Sequence, residues 1–139
     1  MAISQISSNI TKSSNSVEVY KGESKDLELE VTQIVENAEG NDEERPVDLT
    51  NAQVYFTVRE TASAPEVLIA KDSSNALEIE IVSPAEDGLA LIHLIPEDTK
   101  HMDAGTYVFD IWVVLSSGKQ VPVVEVSEFI VREPVTKLP

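Results

Sequence analysis

The residues best suited by type to do chemistry are His93, His101, a cluster of carboxylates between Glu36 and Glu44, and Asp110. An imidazole titrates near neutral pH and can act as a general base or metal ligand. His93, however, alternates with Leu91 and Ile95 in "LALIHLI", the position of a half-buried structural histidine in a strand. His101 lies in a turn-like segment beside Asp103, where a surface hydrogen bond is the default. No Ser-His-Asp arrangement can be read from spacing, because such triads are recognised by geometry, and no glycine-rich phosphate loop is present. Glu36, Glu39, Asn41, Asp42, Glu43 and Glu44 offer oxygen ligands for calcium. They do not follow the helix-flanked calcium-loop pattern, so a solvated charged loop is expected instead. The sequence therefore leads us to expect no catalytic residue, no metal centre and no cofactor.

Asp110 poses a different question. It interrupts a nearly continuous run of large apolar residues, "DAGTYVFDIWVVL" from Asp103 to Leu115. Such a carboxylate is either part of a site or the mark of an outward strand face, and the elements around it must decide.

Those elements belong to a chain of 139 residues, the size of one domain, long enough to bury a core without disulfides or metal. It has no cysteine, which rules out a disulfide framework and a thiolate zinc site. With 25 acidic and 10 basic residues the formal charge is −15. That charge repels the phosphate backbone that supplies most nucleic-acid affinity, and disfavours anionic membrane surfaces. We expect no direct nucleic-acid contact and no membrane association. The longest apolar run, around Ile111 to Leu115, is far short of the roughly 20 residues that span a bilayer. The opening "MAISQISSNITKSSNS" has neither the basic start nor the apolar block of a secretory signal.

Residues 1–16 are rich in Ser, Asn and Thr and read as a flexible N-terminal arm. Ile3, Ile6 and Ile10 would suit a short strand added to a neighbour's sheet edge. From Val17 to Pro139 a single domain of strands is expected. "VEVY" and "LELEV" flank the turn "KGES", so Val17–Tyr20 and Leu27–Val35 are paired or corner-turning strands. "AQVYFTV" places Ala52, Val54, Phe56 and Val58 on one face, with Gln53, Tyr55, Thr57 and Arg59 on the other. "VLIA", "LEIEI" and "LALIHLI" add three short strands, followed by "TYVFDIWVVL", "KQVPVVEV" and "EFIVRE", with "SSG" as a hairpin turn. "ENAEGNDEERP" reads as a charged loop and "EDTKHMD" as a helical turn crossing between sheets. Pro122 predicts an edge or a bulge, since proline has no amide hydrogen for the ladder. Short strands punctuated by turn residues make an all-β sandwich of about 7–9 strands.

Asp103, Gly105, Tyr107 and Phe109 form D-x-G-x-Y-x-F, which resembles the tyrosine corner of immunoglobulin-like sandwiches, with Phe109 where the sheet-pinning cysteine would stand. By that likeness Tyr107, Phe109, Ile111, Val113 and Leu115 point inward, and Val108, Asp110, Trp112 and Val114 point outward. If "AQVYFTVR" and "TYVFDIWVV" are neighbours, Arg59 would oppose Asp110 while Tyr55 and Trp112 share the outer face. A face that apolar marks contact with another chain, unless residues 36–46 fold over it.

A wider resemblance runs from Tyr20 to Thr136. The order of "PVDLTNAQVYFTVRE", "VLIAK", "DGLALIHLIPEDT", "MDAGTYVFDIWV", a glycine turn and "FIVREPVT" resembles the β-sandwich domains of tailed-phage virion proteins. Upper baseplate protein N-terminal domains and related prophage tail-associated proteins are the nearest of these. The sequence departs from the pattern at Asn51, where a glycine usually follows "DLT", and at Ser127 or Glu128 before "FIV". The resemblance implies a non-enzymatic bacteriophage structural and assembly protein of the tail, baseplate, neck or capsid. It further implies contacts with other phage structural proteins, homo-oligomers in the particle, and a place in the virion after synthesis in the host cytoplasm. The expected contact residues are Trp112, Tyr55, Val108, Val114, Asp110, Arg59, Ile3 and Ile6. The alternative from another class is a carbohydrate-binding sandwich that stacks sugars on Trp112 and Tyr55. An enzyme is the weakest reading.

Overall fold

The computed structural model describes residues 8–139. The expectations placed on Ile3 and Ile6 lie outside the described residues. Period-two alternation becomes buried and exposed faces throughout. In β6 (Gln53–Arg59), Val54, Phe56 and Val58 are buried and Tyr55 is exposed. In β10 (Gly105–Val114), Phe109, Ile111 and Val113 are buried while Trp112 faces out. Between these lie β7 (Ile69–Asp72), β8 (Ile79–Ile81) and β9 (Leu89–Leu94), and β11 (Gln120–Arg132) follows the "SSG" turn.

Near the N-terminus the chain forms β1 (Ser8–Ile10), β2 (Val17–Tyr20), β3 (Lys25–Glu30), β4 (Thr32–Glu36) and β5 (Asp42–Pro46). A five-stranded sheet has the order β2-β11-β10-β6-β7, and a three-stranded sheet the order β3-β9-β8. A third, small sheet is β1-β4-β5. Setting that small sheet aside, β6, β10 and β11 fall in one layer and β3, β8 and β9 in the other, the interleaving of an immunoglobulin-like sandwich. All pairings between these strands are antiparallel except β2 with β11. The Phe56, Phe109 and Phe129 rings meet at the centre, with centroids 5.6 to 6.3 Å apart. Phe109 thus fills with an edge-packed ring the position where a disulfide would pin the two layers.

Of the two arrangements expected for Val17–Tyr20 and Leu27 onward, the structure has the corner-turning one: the turn between them carries the chain from one sheet to the other. Several other expectations change. The stretch Leu27–Val35 is two strands, broken at Val31. There Val31 N donates to Gly88 O at 2.8 Å and Val47 N donates to Val31 O at 2.9 Å. The charged segment around residues 36–46 is the second half of a hairpin, with β5 paired to β4. Residues 8–16, read as part of a free arm, are held: β1 pairs with β4, Ser13 bridges to Val124, and Asn15 N donates to Ser127 Oγ. "KQVPVVEV" and "EFIVRE" are one strand of 13 residues. Two register shifts against β10 accommodate Pro122, which sits opposite Trp112. Eleven described strands result, rather than seven to nine.

"PEDT" forms the expected helical turn α1 (Pro96–Thr99) as the chain crosses from β9 to β10. Its last two residues hold the end of the sandwich together. Asp98 Oδ2 accepts from Ile95 N at 2.8 Å and lies 2.9 Å from Lys71 Nζ, and the buried Thr99 Oγ1 accepts from Gly22 N at 2.9 Å. Asn51 takes a φ of +58°, which explains why glycine or asparagine suits the place after "DLT".

Candidate interaction surface

The outward set of the five-stranded sheet forms a surface whose centre is a row across four strands: Pro122 on β11, Trp112 on β10, Tyr55 on β6 and Asp72 on β7. Trp112 is 39% exposed and Tyr55 42%. Hairpin β4–β5 pairs with β1 rather than folding over this row, and among the described residues the face stays open.

Asp110 answers its question here. It is half-buried on the outer face, and its Oδ2 accepts the Trp112 Nε1–H at 3.0 Å. The carboxylate satisfies the indole donor and fixes the ring along the strand, which reduces the side-chain entropy that a partner would otherwise have to remove. Thr57, not Arg59, stands opposite Asp110, and Arg59 opposes Val108. The Arg59 guanidinium is occupied elsewhere, donating through Nη1 to Ala64 O at 2.9 Å and Pro65 O at 3.2 Å. The expected Arg59–Asp110 pair is therefore displaced by two residues along the ladder, on the same face. Val108 and Val114 are half-buried flanks of the row.

At the start of β10 the Tyr107 hydroxyl donates to Asp103 O at 2.6 Å, completing the corner that the spacing announced. Partial burial, with Asp103 and Glu60 nearby, pushes the Tyr107 phenol above its ordinary pKa.

The two histidines are apart from this surface and from each other. His93 Nδ1 is 2.7 Å from Asp26 Oδ1 and Nε2 is 3.7 Å from Glu80 Oε1, so both ring nitrogens face carboxylates rather than a hydroxyl nucleophile. His101, exposed just after α1, has its Nε2 3.9 Å from Glu97 Oε2. In the acidic hairpin, Asn37 Oδ1 accepts from Glu39 N and Asn41 N, organising the turn. Arg45 donates to Glu43 and holds its carboxyl below the usual range. Among the described residues, no group of three or more His, Asp or Glu side chains is arranged to hold a metal, and no helix is long and apolar enough to cross a membrane.

One feature escaped the sequence reading. Lys71 points inward from β7, its side chain 6% exposed, and pairs with Asp98, whose side chain is 15% exposed. The signal was present in "IAKD", whose alternation puts Ile69 and Lys71 on the same inner face.

No protein-family model matches the chain, and no curated protein matches it. Among solved structures, one of murine CRIg is similar at 20% identity, covering 93% of this chain and 99% of its own, with a TM-score of 0.32.

Proposed function

We propose that this chain is a non-enzymatic structural subunit of a tailed-phage particle, joining its neighbours through the outer face of the five-stranded sheet. The observation that carries the reading is the uncovered Trp112–Tyr55 row, which leaves two large rings side by side in solvent at the middle of a sheet. Contiguous apolar surface of this kind is favoured where another chain covers it. The ordered likeness to virion sandwich domains, from "PVDLT" to "FIVREPVT", supplies the setting. Many weak copies of one contact then suffice, because multivalent attachment multiplies modest affinities.

Trp112→Glu tests the face. Because the ring lies outside the core, the variant should stay folded, at a cost of about 1–2 kcal/mol for the lost ring contacts, the lost bond to Asp110 and the new carboxylate beside it. Sedimentation velocity should show that it no longer joins the complexes formed by the parent chain in a particle lysate. Immunogold microscopy with antibody to the chain should label tails, necks or heads. Unlabelled particles after mild disruption, with abundant free protein, would sink the virion reading. The adjacent rings also fit a sugar-stacking site, and that reading predicts saturable quenching of Trp112 fluorescence by oligosaccharides.

A further inference from the structure

The three-stranded sheet ends on β3, and no described strand lies beyond it. Its hydrogen-bonding direction can be followed residue by residue. His93 N donates to Glu78 O at 2.8 Å and Val82 N to Leu89 O at 2.9 Å, so odd-numbered residues of β9 face β8 and even-numbered ones face β3. Leu27 lies opposite Ile92. Lys25, Leu27 and Leu29 therefore turn their backbone groups toward β9, while Asp26, Glu28 and Glu30 turn theirs outward. None of those three has a backbone partner among the described residues.

In a four-stranded layer of an immunoglobulin-like sandwich, the first strand would cover this edge. Here the N-terminal chain passes it by, pairing with β4, touching β11 at Val124 and then joining β11 as β2. A groove of about 430 Å³ is left between the bare edge and that segment. Leu27, Leu29 and Phe109 line its apolar side, and Glu28, Glu30 and Glu44 its acidic side.

We propose that this groove receives an extended segment of a partner protein, which adds beside β3 as a fourth strand and alternates apolar residues with lysine or arginine. The free amides and carbonyls of Asp26, Glu28 and Glu30 supply the ladder. Alternation sends one set of partner side chains toward Leu27 and Leu29, and the other toward the carboxylates of Asp26, Glu28 and Glu30, all exposed on the outer face. Charge complementarity selects a basic partner. A second copy of this chain does not qualify: it carries −15, and no two of its basic residues stand at alternate positions. The surface lies on the other layer from Trp112, so this inference stands or falls separately from the particle reading.

The test uses the full chain and a blocked peptide, VKVKVKV, with VEVEVEV as the control. Amide exchange followed by NMR should slow by about tenfold or more at Asp26, Glu28 and Glu30 with the lysine peptide, and stay unchanged with the glutamate peptide. Glu28→Pro removes one outward N–H at an edge position where proline is tolerated, and should abolish the protection. Should that variant fail to fold, the exposed double change Glu28→Lys with Glu30→Lys serves instead and should also abolish it. The proposal is overturned if the lysine peptide gives no protection at millimolar concentration, if both peptides protect equally, or if protection survives in the variants. Protection that rises with protein concentration alone would overturn it in favour of a second copy as occupant.

Discussion

Along the side of the sandwich where β7 turns into β8, the two layers are laced together. Asp72 accepts from Ser74 N and Oγ, Asn75 Oδ1 accepts from Leu77 N, and Glu78 Oε1 accepts from Asp72 N. Behind that turn Lys71 reaches Asp98 on the crossover. Along the opposite side, where β3 faces β11, the layers are joined by the turn after Tyr20 and by a few contacts from residues 11–16, with the groove between. The closed side spends charged groups inward, where each needs its partner. The open side keeps its charges outward, where they hinder unwanted strand pairing and leave the backbone edge free. Rigidity and availability are thus divided between the two sides of one small domain.

Lys71→Met should produce the largest effect. It leaves Asp98 largely buried without its cation, and breaking a buried pair from one side costs about 3–5 kcal/mol, read as a lower urea midpoint with unchanged slope. Gly88→Ala comes next, because the new Cβ would stand 2.6 Å from Val31 O and 2.8 Å from Val47 O at a φ of +70°. A loss of about 2–3 kcal/mol is expected, with faster amide exchange where β3 hands over to β4. Ser127→Ala probes the open side more gently. It removes the acceptor for Asn15 N and a donor to Glu125 O, for about 0.5–1.5 kcal/mol. A cost as large as that of Lys71→Met would erase the contrast between the two sides.

The smallest effect is one of pH. The bonds from the Ser74 hydroxyl and amide hold the Asp72 carboxyl below its ordinary pKa. A depressed carboxylate contributes stability that is present above the unfolded value and lost as pH falls through the folded one. Asp72→Asn should therefore make stability decline less steeply on the acid side and leave its slope near neutral pH unchanged. An unaltered acid slope in urea titrations would remove the Ser74 bonds from the account of that turn.

Much of this was legible in the sequence because side-chain alternation is set locally. The period of two separates Phe56 from Tyr55 and Phe109 and Val113 from Trp112, and the resemblance of D-x-G-x-Y-x-F to a tyrosine corner says which of the two sets points inward. Pro122 announces an irregular strand by lacking a donor. What was not legible depends on partners distant in the chain. "DEERP" has poor strand propensity and becomes β5 only because β4 pairs with it. The Arg59 register is set by the whole β6–β10 ladder, and a two-residue displacement, which leaves every side chain on its own face, cannot be read from either strand alone. The bare β3 edge arises from where residues 8–16 dock, which no local pattern encodes.

The pairing of β2 with β11 has a mechanical consequence. These strands run parallel, from Val17 beside Phe129 to Tyr20 beside Arg132. Tension applied between the start of β2 and the end of β11 pulls the two strands past one another in shear. The four paired positions then share the load at once instead of opening one by one like a zipper. A domain connected in this way would resist being stretched between these strands more strongly than its thermodynamic stability alone implies.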